Sequence, residues 1–203
     1  MIIRKVAALL IAVVTLLGGC ISPKLHLVKY NQGGDYYLHE GAKVKLPSRI
    51  GQFVRNEKPF PVSPDQKGTA THYFYENNDI KAFSTIFIYP WNKEIVQVLT
   101  GEDSTNDELF LSHYEQTKND VLQYNRGIKV YEEDYLLKHL LMSKLGKKFI
   151  CRLLTAGGEE GLEYLFLFYQ SGWMIKIRLS HLEKYTESLD ELIEEFIHEI
   201  EIK

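Results

Sequence analysis

Apolar residues recur at every second position through "GLEYLFLFYQ" (161–170) and again through "GWMIKIRLS" (172–180). Period two over runs of this length marks β-strands, and so short a link between them marks a hairpin. With a two-residue loop, Gln170-Ser171 or Ser171-Gly172, odd positions of one strand share a face with even positions of the other. One face then carries Tyr164, Phe166, Phe168, Trp173, Ile175, Ile177 and Leu179, an unbroken apolar surface. The other carries Glu163, Leu165, Leu167, Tyr169, Met174, Lys176 and Arg178. Glu163 is thereby opposite or diagonal to Arg178, which predicts a surface ion pair, with an anionic ligand as the alternative partner of the two cations.

Strand texture extends upstream. "AGGEEG" (156–161) turns the chain back from "KKFICRLLTA", which follows a further strand in "IKVYEEDYLL". "TATHYFYE" (69–76) and "KAFSTIFIYP" (81–90) flank the turn-rich "NNDI" and read as another hairpin, ended by Pro90. Its apolar residues fall on both faces, as in strands covered on each side. Three prolines in "KPFPVSP" restrict that stretch to an edge or a loop.

Two segments switch to the helical period. "STNDELFLSHYEQTKNDVLQYNRG" (104–127) opens with capping-box spacing, Ser104 and Thr105 three residues before Asp107 and Glu108, and ends at Gly127. Phe110, His113, Tyr114, Thr117, Val121 and Tyr124 form its inward stripe. "TESLDELIEEFIHEIEIK" (186–203) places Leu189, Leu192, Ile193, Phe196, Ile197 and Ile200 on one side, with Glu191, Glu194, Glu195 and Glu199 toward water. Residues 20–41 show no sustained period and read as a tether holding at most one short strand, with a single domain over 42–203.

The start of the chain has a different pattern. Arg4 and Lys5 precede "VAALLIAVVTLL" (6–17), whose one polar residue is Thr15. This run is shorter than the roughly twenty apolar residues a membrane-spanning helix needs, and its length suits the h-region of a secretory signal over residues 1–19. Leu17-Gly18-Gly19-Cys20 follows and resembles the lipobox of bacterial lipoproteins. The resemblance implies cleavage between Gly19 and Cys20 and a thioether-linked diacylglycerol on the Cys20 sulfur. Several acyl chains would hold such a protein on a membrane without spanning it. Ile21 and Ser22, with no Asp after the cysteine, resemble the outer-membrane sorting pattern, facing the periplasm, if the host is Gram-negative.

Loss of Arg4 and Lys5 with the leader would leave 22 of 24 basic residues against 27 acidic ones, a formal charge of −5. Nucleic acid is not expected as a partner, because the lysines and arginines form no basic stripe. The one local cluster, Lys144 to Lys148, reads as a solvated turn. With Cys20 lipidated, Cys151 is the only remaining thiol, so no internal disulfide is available; its apolar neighbours mark it as core.

The seven histidines show no pair spaced to ligate metal from one helix, and no nucleophile elbow, Ser-x-x-Lys pair or phosphate loop is present. No catalytic, metal or cofactor site is therefore assigned. Tyr73, Tyr75, Phe87, Tyr89 and Trp91 are candidates for a ligand groove or for core, and His72 among them reads as a core or rim residue.

The predicted class is α+β, an antiparallel sheet packed by helices. The segments "LPSRIGQF", "THYFYE" with "FIYP", and "GWMIKIRLS" followed by an amphipathic helix make the domain resemble the PsbP/Mog1 family over about residues 42–202. The resemblance implies an α-β-α sandwich used for protein binding and assembly, without shared catalytic residues. The expectation is a lipid-anchored envelope protein binding another envelope protein or a small ligand; an anchored envelope hydrolase is the alternative.

Overall fold

The computed structural model describes residues 25–29, 35–63, 66–77, 79–91, 106–125, 128–139, 142–155 and 157–202. The leader, Gly19 and Cys20 lie outside these, as do Ser104 and Thr105 of the expected helix start. In chain order the strands are β1 (Leu25–Lys29), β2 (Asp35–His39), β3 (Val44–Pro47), β4 (Arg49–Ile50), β5 (Phe53–Arg55), β6 (Phe60–Ser63), β7 (Gln66–Tyr75) and β8 (Ala82–Pro90). Helix α1 (Asn106–Asn125) separates these from β9 (Ile128–His139), β10 (Met142–Leu154), β11 (Glu160–Gln170) and β12 (Trp173–Leu182). A short 3₁₀ turn, helix α2 (Thr186–Glu199) and β13 (Glu201–Ile202) complete the order.

The large sheet runs β4-β5-β7-β8-β12-β11-β10-β9, with β6 paired to β7, and its pairs are antiparallel. A smaller antiparallel sheet runs β1-β2-β3-β13. This is the α+β class read from the sequence. Ser171 and Gly172, both at positive φ (48° and 83°), form the two-residue turn that fixes the register Phe168↔Ile175 and Phe166↔Ile177.

That register gives the predicted faces. Tyr164, Phe166, Phe168, Ile175, Ile177 and Leu179 are buried in one core with Leu189, Ile193, Phe196 and Ile197 of α2. The small sheet adds Tyr37, Val44 and Leu46 to the same core. On the opposite face Leu165, Leu167 and Met174 join Phe149, Cys151 and the α1 residues Tyr114 and Val121. Leu109 of α1 is also buried, outside the stripe read from the sequence.

Several expectations change. The terminal helix ends at Glu199; Ile200 is buried with an extended backbone (ψ 103°) and Glu201–Ile202 pair with β3. Strands β1 and β2 form within the stretch read as tether, and Tyr37 and His39 are buried. Lys144 to Lys148 form no turn, because β10 continues through them opposite β9, where Lys147 meets Asp134 and Lys148 meets Glu133 and Glu194. Glu194, placed toward water by the helical pattern, instead accepts from Tyr135 Oη at 2.5 Å and Lys148 Nζ at 2.7 Å. Among the described residues no helix is long and apolar enough to cross a membrane.

Candidate binding surface

The site is built on the sheet face that α1 packs against. Register with β8 places Phe87 opposite Lys176 and Thr85 opposite Arg178. Glu163 is diagonal to Arg178, and the predicted ion pair forms, Arg178 Nε to Glu163 Oε1 at 2.5 Å. It differs from a surface pair in its burial: the Glu163 side chain is 3% exposed and the Arg178 side chain 32%. Leaving such a carboxylate without its cation would cost far more than the pair gains at a surface. Cys151 lies across from Glu163 on β10. Burial pushes its thiol pKa up to about 12, the Glu163 charge adds to this and Arg178 opposes it, so the thiol stays protonated at neutral pH.

Lys176 finds rings where its neighbour finds a carboxylate. Its Nζ is 4.6 Å from the Phe87 ring centre and 5.8 Å from that of Tyr89. Such cation–π contacts supply about 0.5–2 kcal/mol. Burial lowers the Lys176 pKa and Arg178 lowers it further, while Asp120 and Glu163 pull the other way. Beside it, Tyr89 Oη and His113 Nε2 of α1 are hydrogen-bonded at 2.8 Å. Burial, with the Lys176 charge, pushes His113 down to about 4 against Asp120, so the imidazole is neutral at pH 7. Trp91 meets His113 edge-on at 5.6 Å and Tyr169 at 5.9 Å. This cluster seals α1 to the sheet.

The five aromatics read as one possible groove are divided by the pleat. Tyr73 is buried in the α2-side core and Tyr75 packs against it, while Phe87, Tyr89 and Trp91 lie on the α1 side. The divider is the register Tyr73↔Ser84 and Phe74↔Phe83, which puts odd positions of β7 with even positions of β8.

Toward the start of β8 the α1 face opens to water. Phe74 and Phe83 are 48% and 47% exposed, with ring centres 6.5 Å apart. Next to them His72 Nδ1 meets Thr85 Oγ1 at 3.0 Å, and the Phe60 ring stacks on the imidazole at 5.0 Å. His72 is therefore a rim residue held in place by its neighbours. These strands were expected to be covered on both faces, yet α1 packs mainly over β10 and β11 and leaves this corner uncovered among the described residues.

Thr85 faces His72, but among the described residues no carboxylate bonds that ring to complete a nucleophile–base–acid relay. Among the described residues no three His, Cys, Asp or Glu side chains converge as metal ligands.

The chain matches no protein-family model and no curated protein sequence. Solved structures follow a similar course at low identity. A protein of unknown function from Pseudomonas aeruginosa is 7% identical, with 88% of this chain and 97% of that one covered and a TM-score of 0.46. Cyanobacterial PsbP from Synechocystis is 12% identical over 92% and 96%, with a TM-score of 0.48. The Ran-binding protein Mog1p of Saccharomyces cerevisiae is 12% identical over 88% and 95%, with a TM-score of 0.37.

Proposed function

We propose that this chain is a lipid-anchored bacterial envelope protein, outer-membrane and periplasm-facing in a Gram-negative host, whose domain is a non-enzymatic binding module for another envelope protein. The observation that carries the address is the leader: Arg4-Lys5, twelve residues with one polar member, then Leu17-Gly18-Gly19-Cys20. Support for binding comes from Phe74 and Phe83, two large rings half in water on a sheet corner. Exposed aromatic side chains that are already positioned on a rigid strand pair lose little entropy when a partner covers them, and such residues dominate binding energy at protein interfaces.

The test is a detergent pull-down from envelopes of the native host with wild type and with the double variant Phe74→Asp, Phe83→Asp. Both side chains are about half exposed, so the variant keeps its fold, at a cost of about 1–3 kcal/mol that includes the repulsion of two directly opposed carboxylates. The wild type is expected to bring down a stoichiometric partner that the variant loses. An identical partner set for the two proteins would contradict the assignment of the surface.

A further inference from the structure

Register across β7, β8 and β12 lays out the uncovered part of the α1 face in rows. Phe83 pairs with Phe74 on one side and with Ser180 on the other, which makes the first row. Thr85 pairs with His72 and with Arg178, which makes the second. The rows are two residues apart along each strand, about 7 Å, and neighbouring strands are about 4.8 Å apart. A third row holds Phe87 and Lys176, with Asp120 of α1 as counter-charge to the lysine.

The first row is apolar and half in water, through Phe74 and Phe83. The second is rich in donors. Arg178 gives its Nε hydrogen to Glu163, its one hydrogen-bond partner among the described residues, and a guanidinium has more N–H donors than a single carboxylate accepts. The Arg178 side chain is partly exposed whereas that of Glu163 is buried, so water at this row meets the guanidinium and not the carboxylate. On the other side of Thr85, His72 Nδ1 is taken by Thr85 Oγ1, and Nε2 has no partner among the described residues. With the threonine hydroxyl donating to Nδ1, the ring hydrogen is on Nε2. Donors thus flank Thr85 on both sides, and among the described residues no acid on this row reaches water.

We propose that the partner bound at this corner presents an extended acidic segment, with an Asp or Glu two residues from a large apolar side chain. The apolar group covers Phe74 and Phe83, and the carboxylate seats over Thr85 between Arg178 and His72. The inference rests on the reading of Phe74 and Phe83 as the binding surface and adds the charge of what binds there. Side chains two apart on an extended segment point the same way and are about 7 Å apart, the spacing of the rows. The carboxylate replaces water on a guanidinium that stays charged at physiological pH, and charge-assisted bonds of this kind are about twice as strong as neutral ones. A lysine at the same place in the partner would meet Arg178 and be repelled. Ring burial supplies the affinity, and the acid sets the register.

The test tethers short peptides beside these rows on the full-length protein in detergent. Lys81 is exposed, two residues before Phe83, and the Lys81→Cys variant takes cysteine peptides as mixed disulfides in a thiol buffer, where tethering makes weak contacts readable. Cys151 is buried, and peptide mapping locates the disulfide. Acetyl-Cys-Ser-Phe-Ser-Asp-amide carries its phenylalanine and its aspartate at the spacing of the two rows. The readout is the thiol concentration that releases half of the bound peptide. The aspartate peptide is expected to need about tenfold more thiol than the same peptide with asparagine at that place, and the lysine peptide less again. Arg178→Met together with Glu163→Met leaves no unpaired buried acid and should remove the preference for aspartate. Equal retention of the aspartate, asparagine and lysine peptides, or a preference that survives the double variant, overturns the acidic segment. If serine in place of the peptide's phenylalanine still lowers retention in that case, the Phe74 and Phe83 surface stands; if it changes nothing, that reading falls too. A Lys81→Cys protein that couples to itself in place of every peptide puts a second copy on this face and overturns the inference as well.

Discussion

Phe196→Ala is expected to remove about 3–5 kcal/mol of stability, the range for deleting a fully buried ring. Phe196 is 1% exposed and sits between Phe53 at 4.8 Å and Tyr73 at 5.5 Å. Those two residues belong to β5 and β7, so one side chain of α2 ties the terminal helix to the half of the sheet farthest from β9. Alanine would leave a cavity bounded by rings on rigid strands, a site with little room to collapse. A domain of ordinary stability, about 5–15 kcal/mol, would lose a large share of it. Urea unfolding followed by far-ultraviolet circular dichroism measures the loss as a lower midpoint. Phe196→Leu, which keeps most of the volume, should fall between the two. A midpoint unchanged by Phe196→Ala would mean that α2 is not docked on this core.

Acid is expected to destabilise the domain well before its carboxylates titrate. His39 is fully buried, its Nδ1 accepts the Ala42 N–H at 3.0 Å, and its Nε2 has no hydrogen-bond partner among the described residues. Burial pushes its pKa down from 6.5 to about 4, against a smaller upward pull from its own backbone. Burial brings His113 to about 4 as well, and it also lowers His181. Between pH 6.5 and 4 the His39 and His113 rings are neutral when folded and protonated when unfolded, so the unfolded chain binds more protons and stability falls as the pH falls. Each neutral ring contributes a slope of up to about 1.4 kcal/mol per pH unit, and His39 with His113 give about 2–3. Unfolding midpoints measured at pH 7, 6 and 5 should decline steeply, and His113→Gln should flatten the decline. A level profile from pH 7 to 5 would show that these imidazoles are solvated in the folded protein.

The hairpin of β11 and β12 was legible because its loop is short and its alternation unbroken: with the turn fixed, the two faces follow. Helix α2 was legible because six apolar residues repeat at helical spacing. Its end was not, since Ile200, Glu201 and Ile202 satisfy either period over so short a stretch and only pairing with β3 decides between them. Strand β2 was obscured by its mixed pattern, in which Tyr37 and His39 point inward while Asp35 is exposed. Histidine is a poor marker of core, and the sequence gives no sign that the His39 ring would lie against Trp173, more than a hundred residues away.

The candidate surface was partly legible. The pairing of Glu163 and Arg178 followed from register, but their burial did not, because it depends on β10 and α1 closing over that face. Lys176 is placed among the rings of Phe87 and Tyr89 by the pairing of β12 with β8, strands separated in sequence by α1, β9, β10 and β11. The exposure of Phe74 and Phe83 was hidden for the opposite reason. Their strands are apolar on both faces, and a strand pattern does not reveal how far a neighbouring helix reaches across the sheet.

The lipid anchor on Cys20 is tested most directly by the intact mass and the N-terminal peptide mass of the protein purified from its host's membranes. The expected result is a chain that begins at Cys20 and carries a diacylglyceryl thioether with a further acyl group on its amine. A chain that begins elsewhere, or a Cys20 with an unmodified thiol, would contradict it.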